Sequence, residues 1–147
     1  MADPFNLTSV PEGAHVRATT VAWGGRALLI VGPSGAGKSS LALELMALGA
    51  ALVADDITEL RDEGRLIACA PAALPSAIEA RGLGLLKADL AGQQPAFAAL
   101  DLTRCSAARL PQPQEITLLG HSIPLLHKPA SGPVAAMLLQ YLKQNIP

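Results

Sequence analysis

Aromatic side chains are nearly missing from this chain: one Trp, one Tyr and two Phe make up 3% of its 147 residues. Proteins that grip single-stranded nucleic acid stack bases on aromatic platforms, so the composition speaks against that class. Charge of either sign is also sparse and balanced, with 11 Lys and Arg against 12 Asp and Glu. A basic footprint on a phosphate backbone is therefore not expected, and no nucleic-acid partner is. The two cysteines, Cys69 and Cys105, lie far apart without a C-x-x-C pattern or a nearby His, which suggests neither metal nor redox chemistry. They read as free thiols of a reducing compartment. No apolar run is long enough to span a bilayer, and Met1 to Asn6 lacks the basic segment and apolar core of a signal peptide. A cytoplasmic protein without a membrane partner is the expectation.

What is present is apolar and glycine-punctuated. Half of the residues are hydrophobic and 16% are charged, the balance of a compact domain whose core Ala, Leu and Val must fill. The length suits one domain. Residues 1–13, polar and carrying Pro4, Pro11 and Gly13, read as a flexible lead-in, and 14–147 as a single domain. Directly behind the apolar run Ala27 to Val31 stands Gly32-Pro33-Ser34-Gly35-Ala36-Gly37-Lys38-Ser39, the pattern G-x-x-x-x-G-K-S. Glycines let such a loop curl with its N–H groups inward, and the helix that begins at the Lys adds its positive end to the trap. The spacing predicts a phosphate cradle formed by Gly32, Ser34, Gly35, Ala36, Gly37, Lys38, Ser39 and Ser40. In it Lys38 reaches the outer phosphates and the Ser39 hydroxyl holds Mg²⁺, with a nucleoside triphosphate as the ligand.

The surrounding pattern gives the motif its context. His15 to Trp23 alternates as a strand, and Gly24-Gly25 signals a hairpin into Ala27 to Val31. Lys38 to Leu48 has helical spacing with Gly49 at the C-cap position, and Ala50 to Ala54 is a short strand expected beside the P-loop strand and parallel to it. Ile57 to Leu60 and Arg65 to Ala68 form a second hairpin, so the central sheet should be mixed, partly parallel and flanked by helices. Pro71 to Gly84 reads as loop. Leu85 to Leu90, Phe97 to Leu102 and Glu115 to Leu119 read as strands, and Val134 to Gln144 as a terminal amphipathic helix.

Asp55-Asp56 falls at the carboxyl end of the Ala50 to Ala54 strand, where open α/β sheets bind ligands, and should lie beside the P-loop. Phosphoryl transfer needs charge neutralisation and a carboxylate that takes a proton from the attacking hydroxyl. Spacing alone does not rank the two. Alternation along a strand suggests that one faces the γ-phosphate and the other a metal, an amide or solvent.

The run Gly32 to Asp56, ending in V-A-D-D, resembles HPr kinase/phosphorylase, and the short form of it that lacks an extra N-terminal domain. Glu79-Ala80-Arg81-Gly82-Leu83-Gly84 is similar to that family's E-x-R-G-L-G element. Ala108-Arg109-Leu110-Pro111 and Leu119 to Pro124 resemble weaker landmarks in the same order. The resemblance implies a P-loop kinase fold like that of phosphoenolpyruvate carboxykinase, and ATP- and Mg²⁺-dependent phosphorylation of a serine on the phosphocarrier HPr. It also implies reverse phosphorolysis, a role in regulating sugar uptake or carbon metabolism, and a homohexamer. Residue by residue, it implies Asp55 as general base, Lys38 and Arg109 as further catalytic groups, and Ser39, Glu79 and Asp56 at the metal. Three departures stand out: Arg17 replaces the family's usual His, Ser40 replaces the acidic residue that commonly follows the P-loop Ser, and Lys128 to Pro133 only loosely echoes the family's late arginine-containing loop. They keep a second expectation open, a catalytically weak P-loop nucleotide sensor that acts through a protein partner.

Overall fold

The computed structural model describes residues 3–144. The chain opens with β1 (Thr8–Val10) and β2 (Gly13–Val16), followed by the hairpin β3 (Ala18–Trp23) and β4 (Arg26–Val31). Gly24 and Gly25 turn this hairpin with φ of 59° and 77°, the doubly left-handed geometry that matches strand twist. After the glycine-rich loop come α1 (Lys38–Ala47), β5 (Ala51–Ala54), β6 (Thr58–Asp62) and β7 (Leu66–Cys69). A small separate hairpin, β8 (Ala77–Ala80) and β9 (Gly84–Lys87), precedes the long β10 (Gln94–Ser106). The chain ends with β11 (Glu115–Leu118), β12 (His121–Pro129) and α2 (Val134–Lys143).

Ten strands form one mixed, curled sheet in the order β1-β2-β6-β7-β10-β4-β3-β5, with β12 also on β10 and β11 on β12. The junction is β10, which pairs antiparallel with β7 at Gln94 and Pro95 and then parallel with both β4 and β12. Because β4 is covered on both faces, it reads as an unbroken apolar run rather than an alternating one. Its Leu28 and Ile30 join Leu41, Leu45, Leu52, Leu100, Leu138 and Leu142 in the core under the helices. Its Leu29 and Val31 face the other way, into a second core with Val16, Val53, Leu60, Leu118 and Ile123. Each fully buried Leu or Ile contributes about 1.5–3 kcal/mol, so the two cores fix β4, and with it the loop that follows, from both sides.

The sheet is mixed, partly parallel and flanked by helices as expected, with both helices on one face and the curled strands covering the other. Other expectations need correction. The single strand expected over His15 to Trp23 breaks at Arg17: β2 pairs with β6, while β3 pairs with β4 and β5. β5 runs parallel to β4 but not beside it, because β3 lies between them, antiparallel to each. Residues expected as a flexible lead-in hold β1, paired with β2, and the buried Phe5, which is anchored in the second core. The expected loop around Glu79 is the β8–β9 hairpin. β10 begins earlier than the strand expected from Phe97, at Gln94 and Pro95, and β12 carries no clear strand signal because Pro124 interrupts its donors; its parallel pairing with β10 starts one residue later, at Leu125.

Candidate active site

β4 delivers the chain into the loop at Gly32, and α1 takes it away at Lys38. Between them Gly35 and Gly37 adopt φ of 86° and 99°, values that side-chain-bearing residues rarely reach, and the Ala36 N–H closes a turn on the Pro33 carbonyl at 3.0 Å. The first turn of α1 thus points its free N–H groups into the loop, the arrangement that binds anions. Lys38, 6% exposed, folds its ammonium back over the loop and donates to the carbonyls of Gly32 (2.8 Å) and Pro33 (3.3 Å). Burial holds it below the ordinary lysine pKa; Asp56 raises it again, Arg17 lowers it, and Asp55 raises it. A polyphosphate arriving at the loop supplies negative charge that favours its ammonium form.

The two aspartates sit in different environments. Asp55 accepts three hydrogen bonds: its Oδ1 from the hydroxyls of Ser39 (2.7 Å) and Thr19 (2.9 Å), its Oδ2 from the Glu79 backbone N–H (2.9 Å). One carboxylate therefore ties together the first turn of α1, strand β3 and the β8–β9 hairpin. At Asp56 the alternation of the strand has ended. Its φ is 65°, its N–H donates to the Thr19 hydroxyl (3.1 Å), and the Ile57 N–H reaches back to the Asp55 carbonyl (2.8 Å) in a tight three-residue turn. This rare backbone state, which costs about 1–3 kcal/mol outside glycine, turns the Asp56 side chain into the cleft. There it is half exposed, 4.0 Å from the Lys38 ammonium, and accepts two bonds from the Arg17 guanidinium at 3.0 and 3.2 Å.

A polar cleft of about 160 Å³ is lined by Ser34, Gly35, Gly37, Lys38, Ser39, Ser40, Asp56, Glu79 and Arg81. Of the expected cradle, Gly32 and Ala36 do not line it; Gly32 ends β4's approach, and Ala36 faces a neighbouring groove. Of the expected acidic groups, Asp56 and Glu79 reach the cleft, whereas Asp55 stays behind Ser39. Arg109 does not join them; it stands exposed in the segment after β10. Arg81 and Arg17 supply the guanidinium groups at the cleft instead. Thr19 was missed from the sequence, although a Thr-Thr pair inside an apolar strand was its one signal; it is completely buried and bonds both aspartates.

Residues 10–94, more than half of the chain, match the family described as HPr Serine kinase C-terminal domain. The chain belongs to that family. The HPr kinase/phosphorylase of Geobacillus sp. (strain WCH70) is 50% identical over 64 residues, 42% of this chain and 21% of that protein. The corresponding protein of Listeria monocytogenes serotype 4a (strain HCC23) is also 50% identical over 64 residues, 42% of this chain and 20% of its own. The matched stretch thus spans about a fifth of the length of these relatives. A solved structure of the Hpr(Ser) kinase/phosphatase from Coxiella burnetii superposes with a TM-score of 0.71 over 87% of each chain at 21% identity, which shows the same mixed α/β fold. Among the described residues no helix is long and apolar enough to cross a membrane.

Proposed function

We propose that this chain is an ATP- and Mg²⁺-dependent protein serine kinase whose acceptor is the phosphocarrier HPr, and that it also runs the reverse phosphorolysis. The observation that carries the reading is the convergence of Lys38, Ser39 and two aspartates of unlike environment at the N-terminus of α1, with Glu79 and Arg81 across the cleft. Membership of the HPr kinase family supports the choice of acceptor. Action in the cytoplasm on carbon metabolism, and assembly into a hexamer, belong to the same proposal.

In this reading Asp56, not Asp55, is the base. Asp55 has its lone pairs engaged by two hydroxyls and an amide, while Asp56 faces the cleft. Its carboxylate takes the proton of the acceptor serine hydroxyl. The serine oxygen then bonds to the γ-phosphorus as the bond to the bridging oxygen of ADP breaks. Lys38 and Arg81 neutralise the charge that spreads over the transferred oxygens. The donors facing the cleft fit a hard cation: the Ser39 hydroxyl and the Glu79 carboxylate are oxygen ligands, and Mg²⁺ needs only one or two carboxylates besides phosphate and water. When bound, the ion would screen the phosphate oxygens and draw charge from the leaving group.

Purified protein incubated with γ-labelled ATP, Mg²⁺ and HPr should transfer label to HPr. Asp56→Asn should lower transfer by about 10²–10⁴-fold, the usual worth of a general base, with nucleotide binding retained. Binding of nucleotide by the wild-type protein without any transfer would favour the second reading, a nucleotide sensor. One observation speaks for that alternative: the Arg17 guanidinium engages both oxygens of the carboxylate that has to accept the proton.

A further inference from the structure

Arg17 marks the point at which the chain passes from one part of the sheet to another, between Val16 at the end of β2 and Ala18 at the start of β3, both packed in the second core. Its backbone is fixed from both sides while its side chain is free. Ala18 lies opposite Val31, the last residue before the glycine-rich loop, so Arg17 stands at the entrance to that loop. From there its guanidinium reaches Asp56. One nitrogen, Nη1, is shared between the two carboxylate oxygens at 3.2 and 3.0 Å, which is not the two-nitrogen fork that makes arginine–carboxylate pairs strong. The side chains are 63% and 51% exposed, and an ion pair screened in this way shifts an equilibrium by about fivefold at most. Lys38 approaches the same carboxylate at 4.0 Å, near enough to Arg17 for the two cations to repel. Two cations thus converge on one carboxylate, beside a helix start whose free N–H groups favour an anion.

We propose that Arg17 is a latch on Asp56 that the terminal phosphate of the donor opens: in the empty site the guanidinium holds the carboxylate, and in the filled site it passes to the phosphate and releases the carboxylate. The inference rests on the phosphate and base assignments above and adds their regulation. Phosphate wins the exchange because it carries more charge than a carboxylate and offers the planar guanidinium two oxygens at matching spacing, a contact worth about tenfold or more. The exposed pair is too weak to resist it. Reach is not limiting, since Asp56 stands between Arg17 and Lys38, and Lys38 itself lies over the loop. The consequence is an order of events. While Arg17 occupies both of its oxygens, Asp56 is closed to the proton of a hydroxyl or of water; it opens when a phosphoryl group has arrived to be transferred.

Calorimetric titration with tripolyphosphate, without metal so that no ion bridges Asp56 to the ligand, tests the exchange in the wild type, Arg17→Met, Asp56→Asn and the double variant. Methionine removes the charge, and asparagine tolerates the φ of 65° at position 56. Both side chains are exposed, and matching circular dichroism spectra establish that the four proteins share one fold. In the wild type Arg17→Met forfeits only the difference between the two contacts of the guanidinium, an expected loss of about two- to fivefold. In the Asp56→Asn background no carboxylate competes, and the same substitution should cost about tenfold or more. The latch requires the second loss to exceed the first by at least about twofold. A smaller ratio, or no loss in either background, overturns it and leaves the phosphate site standing. If tripolyphosphate does not bind the wild type, the phosphate reading itself falls and takes the latch with it.

Discussion

Replacing Thr19 by valine tests the centre of the proposed site without touching a residue that meets substrate. The Thr19 side chain is fully buried in β3, donates to Asp55 Oδ1 at 2.9 Å and accepts the Asp56 N–H at 3.1 Å. Valine keeps the shape and removes both bonds. Loss of a hydrogen bond to a charged group costs about 1.5–3 kcal/mol, and an amide left without a partner about 1–3 kcal/mol. Asp55 keeps Ser39 and the Glu79 amide, and Asp56 is half open to water, so the two losses overlap and about 3 kcal/mol is expected. At about 2–4 °C per kcal/mol for a chain near this size, the midpoint of thermal unfolding should fall by about 6–12 °C. Thr19→Ser retains the hydroxyl and forfeits one methyl, about 1 kcal/mol. Urea and thermal unfolding followed by circular dichroism, at one protein concentration, measure both. A Thr19→Val protein within about 0.5 kcal/mol of wild type, or a serine variant as unstable as the valine one, would refute the argument that this hydroxyl orders the aspartate pair.

Lys38→Met should weaken tripolyphosphate and ATP binding by about a hundredfold or more, since it removes the one buried cation at the loop. Its stability should change by less than about 1 kcal/mol, because the ammonium's bonds to the loop are offset by its own burial, and titration beside urea unfolding separates the two effects. Glu59 offers a pH test remote from the cleft: the His15 ring (2.9 Å) and Arg61 (2.6 Å), outweighing its burial, hold its carboxyl below the usual range. A depressed pKa gives stability above the unfolded value of 4.5 that is lost as pH falls through the lower folded value. Glu59→Gln should therefore cost about 2 kcal/mol at pH 7, and the gap to wild type should close with acidification in denaturation curves taken from pH 7 to pH 3. Gly13→Ala should unfold at distinctly lower urea, by about 3 kcal/mol, because its Cβ would stand 2.0 Å from the Leu60 carbonyl oxygen and force β2 off β6. Normal stability there would contradict the close strand approach.

Local signals were legible wherever a short stretch of chain decides its own geometry. The glycines at 35 and 37, the lysine and serine behind them, the apolar run before them and the helical spacing after them specify a strand, a tight glycine-rich loop and a helix through backbone freedom and periodicity alone. Gly24-Gly25 likewise fixed its hairpin, and the helical spacing picked out Leu41, Ala42 and Leu45 of α1 and Ala135, Leu138, Leu139 and Leu142 of α2, all of which lie buried. Contacts between distant residues are not written in any local pattern. That β3 should stand between β4 and β5 follows from how the curled sheet closes two cores, not from the strands' own sequences. The roles within Asp55-Asp56 depended on it: only when β3 brings Thr19 alongside, and the backbone turns to positive φ at Asp56, does one carboxylate withdraw behind Ser39 while the other enters the cleft. The sequence alone thus determined the glycine-rich loop and the helix start on which the proposed phosphate site rests. Tertiary structure decided which carboxylate faces it, because direction in space is set by neighbours that lie far away along the chain.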